Sequence, residues 1–372
     1  MDEKSSKTKD KISIIEQWFI VLFAFVFFGS VLNAATIYFF EPKNELFFTL
    51  ASYMAGFLFG LLAKYKKWGW IVLTDSQMYD YQSSELSHDQ EKEIARAFMG
   101  RIEWEMIVIA FTQFFVWCLV WYLVISSTIP LWLGFFISLI STSFAYLPSH
   151  AGQHGHLSGN HKNLEWVNSF VGQISLIPLA RSHELLKVLH MKHHAHTNDP
   201  EKDPDYFHTH VDSWFEAALR VHNQGSDERI EKMVNDYCDK DPEFKKSIDR
   251  GSMVQLFIVL TQMVTAFFFP LETLFLWWLP LKIITSYLGL VFSREPHNGL
   301  GIGRNNDTRF WRNGLPRFVN HSMQIHIMHH MYPKICHHDE PKAIEALRPF
   351  MIAKSMPGAD DIPEKISFNP LT

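Results

Sequence analysis

Long uncharged stretches alternate with polar ones along this chain. Residues 18–40, 46–63, 106–125, 129–148 and 253–271 contain no Asp, Glu, Lys or Arg, and 273–293 carries only Lys282. A helix needs about 20 such residues to cross the hydrocarbon core of a bilayer. The six stretches pair into hairpins: 18–40 with 46–63, 106–125 with 129–148, and two spans within 253–293. The pattern predicts an all-α integral membrane bundle of three transmembrane hairpins. The last turn is expected between Pro270 and Pro280, late enough for Lys282 to snorkel to the far interface.

Lysines set the orientation. Lys4, Lys7, Lys9 and Lys11 precede the first stretch, and Lys64, Lys66 and Lys67 follow the second. Positive charge stays on the cytoplasmic side, so both ends of the first hairpin are expected there. Six crossings then leave 64–105, 149–252 and 294–372 on one cytoplasmic face. In 88–104, Ile94, Phe98 and Ile102 recur every four residues. That repeat fits either a helix lying flat on the membrane or one docked on the rest of the protein. Residues 212–250 read as a helical cap. The expected organisation is an added hairpin and amphipathic segment over 1–104, a core over 105–350, and an irregular tail over 351–372.

Composition removes several alternatives. A net charge of −5 without a basic stripe argues against nucleic acid. Cys118, Cys238 and Cys336 lie far apart and form neither a disulfide framework nor a CxxC site. Three thiols are too few for an iron–sulfur cluster, which takes about four. No Gly-rich dinucleotide motif is present, so cofactor-borne electrons have to come from outside the chain. The N-terminal apolar run continues to Phe40, too long for a cleaved signal.

Histidine supplies the chemistry. HxxHH occurs twice, as HMKHH at 190–194 and HIMHH at 326–330, and HxxxH joins His150 to His154. With 20 histidines in the chain, chance produces the triplet about 0.06 times. On a helix, positions i, i+3 and i+4 share a face. Adjacent histidines diverge by about a third of a turn, so one HxxHH can serve two metal ions. His297 at the end of the sixth stretch adds a ninth imidazole. Imidazole favours zinc, copper, iron or nickel, and redox work selects iron or copper. The candidate ligands are therefore His150, His154, His190, His193, His194, His297, His326, His329 and His330, with no catalytic residue beyond them. Ligand imidazoles usually donate their second N–H to a carboxylate or carbonyl. Asp203 and Asp205 are the favoured partners among Glu184, Asp199, Glu201, Asp203, Asp205, Asp339 and Glu340. His156, His161, His183, His196, His321, His337 and His338 are weaker candidates, near the boxes only in sequence.

The stretches HAGQHG (150–155), HMKHHAHTNDPEKDPD (190–205) and NHSMQIHIMHHMYPKI (320–335) resemble the three histidine boxes of the membrane fatty acid desaturase superfamily. SREPHNG (293–299) stands where that superfamily places a further histidine ligand. An Asn acting through water is also implied, with Asn320 or Asn298 in position. The resemblance, over about 105–350, implies two iron ions, molecular oxygen as co-substrate and a lipid or acyl substrate in the membrane. It also implies an external electron donor (ferredoxin, rubredoxin or cytochrome b5-like) with its reductase. Lys187, Lys192, Lys245, Lys246 and Arg250 are candidate receivers of an acidic donor. The expected activity is introduction of a double bond into a fatty acyl chain. The alternative is hydroxylation or ketolation of a carotenoid, sterol or alkane. A zinc hydrolase needs about three ligands and a water, fewer than offered here. A metal transporter places its ligands inside the spans rather than at their ends.

Overall fold

The computed structural model describes residues 54–55, 87–311 and 319–366. The expected hairpin at 18–63 lies almost wholly outside the described residues. All but Met54 and Ala55 belong to one compact unit, Asp80–Thr372. Among the described residues there is no strand, and Met99 and Ile335 form an isolated antiparallel bridge.

The elements in chain order are α1 (His88–Ala97), α2 (Trp104–Ile125), α3 (Leu131–Ser143), α4 (Tyr146–Gln153), α5 (Glu165–Leu176) and α6 (His183–His196). There follow α7 (Trp214–Asn223), α8 (Glu228–Lys240), α9 (Pro242–Phe268) and the compound helix α10 (Pro270–His297). Box 3 and the C-terminal region supply α11 (His326–Met331) and α12 (Glu340–Ala353).

Four segments are long and apolar enough to cross a membrane: α2, α3 with α4 (Leu131–Gln153), α9 and α10. They coincide with the third to sixth apolar stretches. Their outer surfaces expose large apolar side chains, including Tyr122, Trp132, Ile140, Phe257 and Phe267. Water would penalise such a surface and lipid does not. The charged PEFKKSIDR segment belongs to the same helix as the stretch after it, because Asp241 caps the amides of Glu243 and Phe244 and Pro242 starts the first turn. Residues 212–250 thus comprise α7, α8 and the polar start of α9.

The α9–α10 turn corrects the expectation for Lys282. Phe269 ends α9, and Pro270 opens α10, so the turn lies early. Lys282 is 12 residues further on, about 18 Å along the helix, well away from that turn. Its amine lies 5.7 Å from the Trp278 ring centroid. His222 of α7 bonds Ser286 at 2.8 Å, one turn beyond Lys282. Lys282 therefore lies partway along α10, its amine beside Trp278, and not at the turn itself.

Polar groups join the spans where hydrocarbon offers no substitute partner. In α10, Leu274–Trp278 is a π segment. The Leu276 carbonyl accepts from Trp117 Nε1 on α2 at 3.1 Å and from the Ser138 hydroxyl on α3. Irregular backbone inside a membrane helix is tolerated when neighbouring helices satisfy it in this way. Gln113 Nε2 donates to the Ser175 carbonyl at 3.0 Å, tying α2 to α5.

The 88–104 repeat resolves to a docked helix. Ile94 and Phe98 are buried. Glu91 accepts from Lys354 and from Tyr332 Oη (2.9 Å), which fixes α1 to the box-3 end of the fold. Beyond α12 the described residues, to 366, hold only a short 3-10 turn (Ala359–Asp361) yet pack: Met356, Ala359 and Ile362 are buried, and Phe310 N–H donates to the Pro357 carbonyl at 3.0 Å.

Candidate metal centre

Box 1 sits where a candidate span ends. α4 carries His150, and His154 is its C-cap residue. Box 2 occupies the last two turns of α6, whose start is capped by Ser182. Box 3 forms α11, every residue of which is buried. His297 closes α10 after a second π segment, Gly289–Arg294, and next to Pro296, which has no N–H. Single π turns are frequent at functional sites because they rotate the side chains that follow. Arg294 holds this end by donating to the carbonyls of Val211 and Asp212 at 3.2 and 3.0 Å.

The imidazoles converge into two groups. The nitrogens of His150, His154, His190, His194 and His329 lie within 4.8 Å of one another, as do those of His193, His297 and His330. His326 belongs to neither set at that distance. Its ring centroid is 4.7 Å from that of His330 and 5.2 Å from that of His329, so it stands between them. Each HxxHH feeds both groups: His190 and His194 enter the first and His193 the second, while His329 and His330 divide likewise. The cause is the helical angle between adjacent residues.

Four Nε2 atoms close a ring. Separations are 3.0 Å for His154–His190, 3.1 Å for His190–His194, 3.1 Å for His194–His329 and 3.0 Å for His329–His154. A neutral imidazole has one N–H, so four rings cannot satisfy all four contacts as hydrogen bonds. At most two Nε2–H groups can each point at one neighbour, so at least two contacts are left without a donated hydrogen. A square with these edges has its centre about 2.2 Å from each nitrogen, close to the usual metal–imidazole distance. Buried nitrogens without a hydrogen-bond partner complete the pattern: Nε2 of His150, His297 and His330, and Nδ1 of His326. The donor set fits metal ions.

Electrostatics keep most of these rings neutral. Burial, followed by the charge of neighbouring imidazoles, holds His154, His190, His194, His326 and His330 well below the usual histidine range. A neutral ring presents the lone pair that a metal takes. His193 behaves differently: burial opposes its charge, but Asp203, with Asp205 and Asp307, raises it to about 9.

Partners on the far ring nitrogen orient the imidazoles. Asp203 Oδ1 lies 2.9 Å from His193 Nδ1, and the carboxylate is itself fixed by the N–H groups of Asn198 and Asp205, both at 2.8 Å. The TNDPEKDPD segment is thus a loop that folds Asp203 back onto its own box. Asp205 is 3.9 Å from His193 Nδ1, beyond hydrogen-bond range, and accepts from Gln224 at 2.9 Å. Asn320 is fully buried, and its Oδ1 accepts from Ser322 N–H at 3.1 Å in the turn before box 3. Asn298 donates to the Val211 carbonyl at 2.9 Å.

Two partners were not singled out by the sequence. The Asp307 carbonyl accepts from His297 Nδ1 at 2.9 Å and from Asn198 Nδ2 at 2.9 Å. Glu340 Oε1 lies 3.4 Å from His329 Nδ1, and Oε2 lies 3.0 Å from His337 Nδ1. Burial opposes its ionisation, but His337 and His329 hold the Glu340 carboxyl at about 2. A backbone carbonyl ten residues downstream carries no residue-type signal. Glu340 was one of several carboxylates near a box, without a spacing to single it out.

The weaker candidates have other places. His183 Nδ1 meets Ser149 Oγ at 2.9 Å, His321 packs edge-on against Phe144, and His196 stacks over Tyr237. Glu184 pairs with Arg250, and Asp339 with Arg101. An open cleft of about 370 Å³ reaches His194 and His330, bordered by Ile302, Arg304, Asp307 and Met331.

Comparison with known proteins agrees with this geometry. No curated protein matches the chain. The family pattern described as fatty acid desaturase matches residues 126–357, more than half of the sequence and all three boxes with His297. The chain belongs to the membrane fatty acid desaturase family.

Proposed function

We propose that this protein is an oxygen-dependent membrane desaturase that introduces a double bond into a fatty acyl chain, using two iron ions and electrons from an external donor. The observation that carries the reading is the pair of histidine groups fed jointly by boxes 2 and 3, with four Nε2 atoms 3.0–3.1 Å apart. His150, His154, His190, His194 and His329 would hold one ion. His193, His297 and His330 would hold the other, with His326 between them. Bound iron supplies the oxidising power to break an unactivated C–H bond, which acid–base groups cannot do.

The chain's own residues do the rest. Asp203, the Asp307 carbonyl and Glu340 hold their histidines in one tautomer and orientation, with the metal-facing nitrogen free. Burial of α11 shields the box-3 rings, while the cleft beside His194 and His330 leaves one edge of the centre open. The apolar spans bring a lipid substrate to the end of the bundle where the histidines lie. We place that end on the cytoplasmic side, where a small soluble donor has access and the cleft beside His194 and His330 opens.

Metal and lipid analysis test the proposal together. Purified protein should contain two iron ions per chain. Host lipids should gain an unsaturated acyl species that is absent with His193→Ala. One zinc per chain in place of iron, or a hydroxylated product without new unsaturation, would overturn it.

A further inference from the structure

Beside the histidine groups, three other metal-binding side chains meet in the interior. Glu103, immediately before α2, is completely buried; His156, in the turn after box 1, is 4% exposed; Cys336, after box 3, is 1% exposed. One ligand atom from each lies within 4.8 Å of the other two.

Cys336 Sγ lies 3.8 Å from the Arg101 carbonyl as a long thiol hydrogen bond, but hydrogen bonding does not account for the contact between Glu103 and His156. His156 Nε2 lies 2.9 Å from the Pro333 carbonyl, which only accepts, so Nε2 carries the proton. In the neutral ring, Nδ1 is then a bare lone pair. It faces Glu103 Oε2 at 3.2 Å, another acceptor. The contact is within hydrogen-bond distance, but its angle is poor, so neither atom makes a well-aligned hydrogen bond. Glu103 Oε1 is already occupied by the His338 N–H at 2.8 Å. The adjacent cation, Arg101, is engaged by Asp339 and Glu105. Two ligands on one tetrahedral zinc sit about 3.2–3.4 Å apart, which matches the misaligned pair.

We infer that Glu103, His156 and Cys336 form a third metal site, for one divalent ion of the zinc class, distinct from the two histidine groups. A carboxylate and a thiolate balance the double charge, so the filled site is neutral in a buried place. Burial, and then the charge of Glu103, drives the Cys336 thiol strongly towards its protonated form when no cation is present. A bound ion displaces that proton. Sulfur and imidazole together select a borderline-soft ion over calcium or magnesium, and a fourth position remains for water. The ion would tie the start of α2 to the exits of boxes 1 and 3. The Met99–Ile335 bridge and the Glu103 N–H to His156 carbonyl bond (3.0 Å) already align these segments.

X-ray absorption at the zinc edge, on full-length tag-free protein in detergent, decides the matter. The expected wild-type spectrum contains one sulfur ligand at about 2.3 Å, which no histidine group can supply. Cys336→Ser and Glu103→Gln should each lose about one zinc per chain while iron content stays unchanged. A wild-type protein with no sulfur-bound metal, or a Cys336→Ser protein with undiminished zinc, would overturn the site. The first result leaves His156 and Glu103 as a buried ion pair. The wild-type spectrum decides even if a variant fails to fold.

Discussion

At the scale of single residues, the centre depends on what stands behind each imidazole. Asp203 is held by two backbone N–H groups and in turn holds His193. Asp203→Asn keeps the shape but removes the charge that raises His193. Loss of such a partner weakens metal binding about 10–100-fold. Iron retained after a timed chelator challenge should fall accordingly, and retention equal to wild type would remove Asp203 from the site. Protons give a second test, on metal-stripped protein. His154, His190, His194, His326 and His330 are held well below 6.5 in the fold, whereas in the unfolded chain they titrate near 6.5. The unfolded state therefore binds more protons below that pH. The stability these groups contribute is complete above about pH 6.5 and is lost as pH falls, by up to about 1.4 kcal/mol per histidine per pH unit. His193, raised to about 9, acts oppositely: its contribution is complete below 6.5 and lost as pH rises through about 9. Thermal melts across pH 5–9 should thus decline on both sides, more steeply on the acid side. A flat acid limb would contradict the neutral cluster.

Helices set how closely the boxes can be brought together. α9 passes against the start of α6, where a methyl group added at Gly251 would lie 2.7 Å from the Leu185 backbone nitrogen. A backbone neighbour cannot swing aside. Gly251→Ala should therefore destabilise the protein by about 1–3 kcal/mol and displace the helix that carries His190, His193 and His194. Gly225→Ala meets nothing within 4 Å and serves as the control. Equal melting midpoints for the two would show that the helices do not approach so closely. At this scale the sequence was informative but incomplete. Uncharged runs located α2, α3, α9 and α10, since hydrocarbon tolerates few charges. The start of α9 was hidden because PEFKKSIDR is polar, although its cap and proline extend the helix. Lys282 misled in the same way: the apolar pattern could not show whether Pro270 or Pro280 opened the return helix.

For the molecule as a whole, the histidines and Asp203 could be read from the sequence, while most of the other supports could not. HxxHH fixes a local angle, so the division of His193 from His194 and of His329 from His330 follows from helix geometry alone. Contacts such as Asp307 with His297, Glu340 with His329, or Glu103 with His156 and Cys336 join segments that only the complete fold brings together. The placement of the polar end in the cytoplasm is testable with a native probe, since Cys238 is partly exposed on α8. A membrane-impermeant maleimide should label it only after cells are opened, with Cys238→Ser as the blank. Labelling in intact cells would invert the orientation.

Boxes 2 and 3 each send rings to both groups, and this shared ancestry of ligands has a consequence for how the protein matures. Emptying either pocket frees side chains on the very turns that shape its neighbour. If both groups bind iron as proposed, filling one should favour filling the other, and chains holding a single ion should be scarce. Scarcity of iron in the cell would then reduce the number of working molecules without lowering the quality of those that remain.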